Sequence, residues 1–190
     1  MNLPNKLTIS RIILTFVFMY FLFARWTGAR YFAFITFVIA CLTDYYDGYI
    51  ARRDSKITNF GRLMDPIADK ILALAAFLAF VELKLIPAWT VVIIIAREVT
   101  VTSLRIFALG RGVVLEAEEA GKHKTVSQIV AIFTILTFLI LKDTAKFFSF
   151  WNSTIERWFL NLIFALMLIT VVLTLSSGIS FILRNRRILT

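Results

Sequence analysis

Six stretches of this chain contain no charged residue and consist mainly of apolar side chains. They are Ile12–Ala24, Tyr31–Thr43, Ile71–Val81, Leu85–Ala96, Thr125–Leu141 and Trp158–Leu183. A bilayer core about 30 Å thick requires roughly 20 mostly apolar residues from a spanning helix. Only the last stretch reaches this length by itself, so the others must extend through charged ends whose Lys and Arg side chains reach the membrane surface. The pattern predicts an all-α integral membrane protein with six transmembrane helices.

The composition excludes the main alternatives. Hydrophobic residues make up 59% of the 190 residues and charged residues 17%, whereas soluble domains average about 45–50% and about 25%. Disorder is excluded, because it requires low hydrophobicity, and a soluble helical bundle is disfavoured. The net charge of +9 is interpreted as positive charge beside anionic lipid and substrate rather than as a nucleic-acid surface. The length predicts a single membrane domain over residues 1–190.

The distribution of basic residues predicts the orientation. If the N-terminus is inside, most of the 21 Lys and Arg residues fall in the inside loops, as cytoplasmic loops require. Both termini are therefore predicted to be cytoplasmic. Residues 1–11 lack the apolar core of a cleaved signal peptide, and we expect them to form a short interfacial helix.

Four aspartates lie at the inside ends of the second and third predicted spans. Asp44 and Asp47 are three residues apart, and Asp65 and Asp69 are four apart, so each pair shares one face of a helix. Neighbouring antiparallel spans would bring the four carboxylates together, where they repel one another and require protons or cations. Hard oxygen ligands suit Mg²⁺ or Mn²⁺, and a pair of such metals clamps a phosphate or pyrophosphate.

Small residues and one arginine accompany these aspartates at fixed spacing. Gly48, Ala51 and Gly61 would let a ligand approach the backbone, and Arg52, one turn beyond Gly48, can bind phosphate oxygens in a bidentate way. Two alternatives are that the charges only end the spans, or that the carboxylates line the route of a cation transporter. Neither alternative explains the spacing of the glycines, the alanine and the arginine.

The complete pattern from Asp44 to Asp69 is D-x2-D-G-x2-A-R-x8-G-x3-D-x3-D. It resembles the signature of the CDP-alcohol phosphatidyltransferase family. Asn2–Arg11, Ala96–Glu98 and Gly121–Thr125 are similar to the corresponding segments of one branch of that family, the bacterial phosphatidylglycerophosphate synthases. The likeness covers roughly Asn2–Thr125.

The resemblance implies a six-helix enzyme, usually a homodimer, in the bacterial inner membrane with its active site on the cytoplasmic face. It implies CDP-diacylglycerol as donor, glycerol 3-phosphate as acceptor and CMP as leaving group, with two Mg²⁺ or Mn²⁺ ions. The residue roles it implies are metal ligation by Asp44, Asp47, Asp65 and Asp69, general-base catalysis by Asp69, and CDP binding by Gly48, Arg52 and Gly61.

The acceptor pocket is expected in a second group of basic residues. A glycerol 3-phosphate acceptor needs fixed cations for its phosphate, and five basic residues, including Arg111, lie at the inside ends of the fourth and fifth spans. The four expected to bind the phosphate are Arg97, Arg105, Lys122 and Lys124. Positive-inside topology also explains any one of them. Other acceptors within the family stay open, namely phosphatidylglycerol, as in a cardiolipin synthase, or an inositol compound, as in a phosphatidylinositol-phosphate synthase.

Overall fold

The computed structural model describes the backbone of residues 3–54, 59–113, 115, 119–145 and 151–186, and the side chains of 9–43, 70–113, 115, 121–145 and 151–186. Within these ranges the chain is helical and has no strand. The helices are α1 (Leu3–Phe23), α2 (Ala29–Asp54), α3 (Asn59–Glu82), α4 (Ala88–Gly110), α5 (Glu119–Thr144) and α6 (Ser153–Arg184). The predicted all-α class and its six helices are confirmed.

One detail near a helix N-terminus differs from the expectation. A separate short helix over residues 1–11 is not formed, since residues 3–11 are the first turns of a continuous α1. Pro4 is the second residue of α1, where its missing N–H removes no intrahelical hydrogen bond. In α3, which begins at Asn59, Pro66 is the eighth residue, so the backbone carbonyl of Arg62 lacks the usual bond from a residue four positions later.

Local sequence explains where α4 ends and α6 begins. Gly112 adopts a φ of +76°, a conformation that glycine reaches without steric cost. The Val113 N–H then donates to the Ala108 carbonyl at 2.9 Å, which closes α4 in a Schellman motif. At the start of α6, the Asn152 side chain accepts a hydrogen bond from the Ile155 N–H at 2.8 Å, as expected of an asparagine N-cap.

The first compact unit consists of Met1–Ala79 and Leu136–Trp151. Helices α1 and α2 pack together in it, and the Phe18 and Phe37 rings meet with their centroids 5.5 Å apart. Three alanines of α2 are also buried: Ala29, Ala33 and Ala40. At the N-terminal end of α2, Arg30 Nη1 donates to Asp143 Oδ1 of α5 at 2.9 Å. These contacts hold the helix that carries the first half of the aspartate motif.

The second compact unit consists of Phe80–Ile135 and Asn152–Thr190. In this unit α4 packs against α6. The buried face of α6 repeats every three or four residues, as helix packing requires, and contains both apolar and small polar side chains. Its members are Ile163, Met167, Thr170, Val171, Thr174, Ser177, Gly178 and Phe181.

Large apolar side chains are exposed on several helices. Phe16 of α1 is 71% exposed and Val172 of α6 is 64% exposed. Among the described residues, Gly121–Thr144 and Ser153–Arg184 are long and apolar enough to cross a membrane, and Ile9–Phe23 and Ala29–Thr43 are shorter apolar helical segments. Exposed apolar surface on this scale is typical of helices that face lipid.

Candidate active site

The aspartate motif lies on two helices of the first unit. Asp44 and Asp47 are one turn apart within α2, and Asp65 and Asp69 are one turn apart within α3. The helical backbone expected at these positions is thus observed, whereas the four side chains lie outside the described residues. All of their donor atoms are carboxylate oxygens, the donors that Mg²⁺ and Mn²⁺ prefer. On donor chemistry, the residues fit a divalent metal ion.

The residues expected to bind CDP belong to the same two helices. Gly48 and Arg52 are one turn apart within α2, and Gly61 is the third residue of α3. Their side-chain surroundings also lie outside the described residues. The assignment of these three residues to the CDP site therefore stays a prediction.

The expected acceptor residues lie in the second unit, where one of them is buried. The Lys124 ammonium donates to Oε1 of Glu98, and each of these residues is only 5% exposed. A charge at this depth is stable only when it is paired and hydrogen-bonded. Glu98 therefore holds Lys124 in place between α4 and α5.

Arg97 lies next to this ion pair and also contacts α6. Its Nη1 is 3.5 Å from Glu98 Oε1, and its Nη2 donates to Ser177 Oγ at 2.7 Å. Arg97, Glu98 and Lys124 together carry two positive charges and one negative charge. Both cations therefore share Oε1 of Glu98, which holds them side by side.

The other two expected acceptor residues are exposed. Arg105 lies two turns beyond Arg97 on α4, and its guanidinium carbon is 5.4 Å from the centroid of the buried Phe181 ring on α6. This is cation–π geometry, which restrains an otherwise mobile side chain. Lys122 is exposed on the first turn of α5. The structure thus brings Arg97 and Lys124 together around Glu98, and it places Arg105 on the face of α4 that meets α6.

The sequence analysis assigned no role to three residues that contact Arg97, namely Glu98, Ser177 and Gly178. The role of Glu98 could have been inferred from the sequence, because a carboxylate next to an arginine in an apolar helix requires a partner. The roles of Ser177 and Gly178 could not, since small residues are common wherever membrane helices pack closely.

A sequence model of one family, described as CDP-alcohol phosphatidyltransferase, matches residues 1–176. The match includes both halves of the aspartate motif as well as Arg97, Glu98 and Lys124. The chain belongs to the CDP-alcohol phosphatidyltransferase family. The resemblance seen in the motif is therefore confirmed over most of the chain.

Individual family members are similar over a large part of their length. A CDP-diacylglycerol–glycerol-3-phosphate 3-phosphatidyltransferase of Bacillus subtilis (strain 168) is 42% identical over 147 residues, which are 71% of this chain and 76% of the relative. A protein of the same name from Wigglesworthia glossinidia brevipalpis is 32% identical over 149 residues, which are 74% of this chain and 81% of the relative. A probable phosphatidylglycerophosphate synthase of Mycobacterium tuberculosis (strain CDC 1551 / Oshkosh) is 42% identical over 134 residues, 69% of this chain and 64% of the relative.

Proposed function

We propose that this protein transfers the phosphatidyl group of CDP-diacylglycerol to sn-glycerol 3-phosphate, which yields phosphatidylglycerophosphate and CMP. The observation that carries the proposal is the complete aspartate motif, from Asp44 to Asp69, in a chain similar to relatives that bear this activity in their names. The protein is thus a phosphotransferase of phospholipid biosynthesis.

The donor binds at the aspartate motif. Asp44, Asp47, Asp65 and Asp69 hold two Mg²⁺ or Mn²⁺ ions, and Gly48, Arg52 and Gly61 line the CDP site. When bound, the metals neutralise charge on the pyrophosphate. Arg52 adds two parallel N–H donors for phosphate oxygens, and the two glycines leave room for the nucleotide beside the backbone.

Asp69 acts on the acceptor. Its carboxylate takes the proton of the attacking glycerol 3-phosphate hydroxyl, whose oxygen forms a bond to the phosphorus that carries the diacylglycerol. The bond from this phosphorus to the bridging oxygen breaks, and its electron pair leaves on CMP. Proton transfer of this kind requires the carboxylate within about 2.6–3.2 Å of the hydroxyl oxygen in the substrate complex.

The acceptor phosphate binds to the basic residues of the second unit. Arg97, Arg105, Lys122 and Lys124 hold it by charge-assisted hydrogen bonds, which are stronger than neutral ones. The position of Arg97 beside the buried Lys124–Glu98 pair and the contact of the Arg105 guanidinium with the Phe181 ring support this assignment. Separate cations are needed because the acceptor is an anion that must approach an anionic donor.

The protein acts as a single membrane domain of six spans, with both termini in the cytoplasm and the active site at the cytoplasmic face of the bacterial inner membrane. This arrangement keeps the acyl chains of the donor in lipid while its head group reaches soluble glycerol 3-phosphate. The exposed apolar helix faces and the excess of basic residues in the inside loops support it. We further propose that the enzyme is a homodimer surrounded by membrane lipid.

Release of CMP from CDP-diacylglycerol in detergent, with a panel of acceptors, tests the proposal. We expect release that depends on added Mg²⁺ or Mn²⁺ and on glycerol 3-phosphate. Release with phosphatidylglycerol or an inositol compound, but not with glycerol 3-phosphate, would instead indicate another family activity. Absence of release with every acceptor, together with metal-ion flux in vesicles, would indicate a cation transporter.

A further inference from the structure

A short segment of α6 packs against both arginines of α4. Ser177 and Gly178 contact Arg97, and Phe181, one turn later, lies under Arg105. All three α6 residues are buried. The family match ends at residue 176, so these contacts come from a part of the chain to which the match assigns nothing.

The contacts to Arg97 hold its side chain at two points. Ser177 Oγ accepts a hydrogen bond from Nη2 at 2.7 Å, which orients the guanidinium. A Cβ atom built on Gly178 would lie 3.0 Å from Arg97 Cγ, which is closer than ordinary packing. An alanine at position 178 would therefore require the arginine stem to shift by a few tenths of an ångström.

The contact between α6 and Arg105 involves the guanidinium group of the arginine. The guanidinium lies over the face of the Phe181 ring, whose quadrupole attracts the cation. Arg105 is exposed, whereas Phe181 is 2% exposed. The ring is therefore a fixed platform, and the arginine side chain is ordered by resting on it.

We propose that Ser177, Gly178 and Phe181 form a positioning surface that fixes Arg97 and Arg105 for the phosphate of the acceptor substrate. The inference rests on the proposed function, because it assumes that these arginines bind the acceptor. The three residues do not touch the substrate, and they determine the affinity for it through the arginines. They leave donor binding unaffected, because the donor is held by the aspartate motif.

Steady-state kinetics with each substrate varied in turn tests the proposal on Ser177→Ala and Gly178→Ala. We expect the KM for glycerol 3-phosphate to rise about tenfold in Ser177→Ala, near the lower value of a hydrogen bond to a charged group. It should rise in Gly178→Ala as well, because the added methyl group displaces the stem of Arg97. The KM for CDP-diacylglycerol should remain unchanged, because the donor binds at the aspartate motif. If Gly178→Ala does not fold, Ser177→Ala, which only removes an atom, carries the test.

Two matched controls separate this effect from a general loss of packing. Thr174→Ala removes a hydroxyl from the same buried face of α6, but Thr174 Oγ1 has no hydrogen-bond partner among the described residues. Gly110→Ala adds a methyl group where no atom lies within 4 Å among those residues. Both controls should keep the wild-type KM for both substrates.

Two substitutions at Phe181 test whether the aromatic ring positions Arg105. Phe181→Leu keeps an apolar side chain but loses the ring, whereas Phe181→Tyr keeps the ring. We expect the KM for glycerol 3-phosphate to rise about threefold in the leucine variant, in line with an exposed cation–π contact, and to return toward wild type in the tyrosine variant.

The possible outcomes distinguish this inference from the proposed function. Wild-type protein that releases no CMP with glycerol 3-phosphate would refute the proposed function itself. An active wild type with an unchanged KM for glycerol 3-phosphate in Ser177→Ala and Gly178→Ala would overturn only the positioning surface. A fall in kcat with unchanged KM, or an equal rise in both KM values, would overturn it as well.

Discussion

Removing the charge of Glu98 should destabilise the protein more than any neutral change at the surface. Glu98 and Lys124 are each 5% exposed and bonded to each other. In Glu98→Gln the amide keeps the shape of the side chain but removes the negative charge that lies beside Lys124 and Arg97. Breaking a buried ion pair on one side costs about 3–5 kcal/mol.

The reverse change should cost less. In Lys124→Met the thioether replaces most of the volume of the lysine, and Glu98 keeps Arg97 Nη1 at 3.5 Å. The double variant Glu98→Gln/Lys124→Met removes both charges of the pair, so that neither is buried without the other. Its free energy of unfolding should therefore be higher than that of Glu98→Gln alone. We expect a coupling free energy of about 1–3 kcal/mol between the two positions.

Reversible unfolding in mixed detergent micelles, measured for the wild type, both single variants and the double variant, gives the coupling directly. Lys122→Met is the matched control, because Lys122 is exposed on the same helix; its stability should change by no more than about 0.5 kcal/mol. If the two single effects add to within about 0.5 kcal/mol, the reasoning from the buried pair is refuted.

Three further predictions concern activity. Asp69→Asn should lower kcat about 10²–10⁴-fold while CDP-diacylglycerol still binds; near wild-type turnover would remove Asp69 as the base. Asp44→Ala should weaken metal and donor binding together, because a metal held by this carboxylate would neutralise charge on the donor pyrophosphate; titrations of metal with and without a CDP compound measure this, and unchanged metal dependence would contradict it. Arg105→Ala should raise the KM for glycerol 3-phosphate about 10–150-fold and leave that for CDP-diacylglycerol unchanged; equal KM values in wild type and variant would refute phosphate binding by Arg105.

The fold class and the aspartate motif were predictable because both depend on local pattern. Six charge-free stretches predict six helices regardless of how these pack. The spacings within Asp44–Asp47 and Asp65–Asp69 place each pair one turn apart as soon as the segment is helical. Helix ends were less predictable: α1 runs through the expected interfacial segment, because a helix continues wherever no residue or cap stops it.

The contacts of α6 could not be predicted from sequence. Ser177 and Gly178 lie in a 32-residue helix whose other residues are mainly apolar, and no local pattern sets them apart. Their role depends on α4 reaching them with Arg97, a contact between residues 80 positions apart. Interactions of this separation follow from packing, which periodicity does not encode.

The burial of the basic residues distinguishes two explanations for them, membrane topology and phosphate binding, which the sequence does not distinguish. Positive-inside topology and phosphate binding both predict lysines at positions 122 and 124, and the rule for topology is satisfied by charges exposed in short loops. Lys122 is exposed in this way, but Lys124 is buried against Glu98. Topology does not require a lysine to be buried, and burial of a charge costs free energy that a partner must offset. Topology therefore does not explain why Lys124 is buried against Glu98, and the proposed binding of the acceptor phosphate beside Arg97 and Lys124 would give this burial a role.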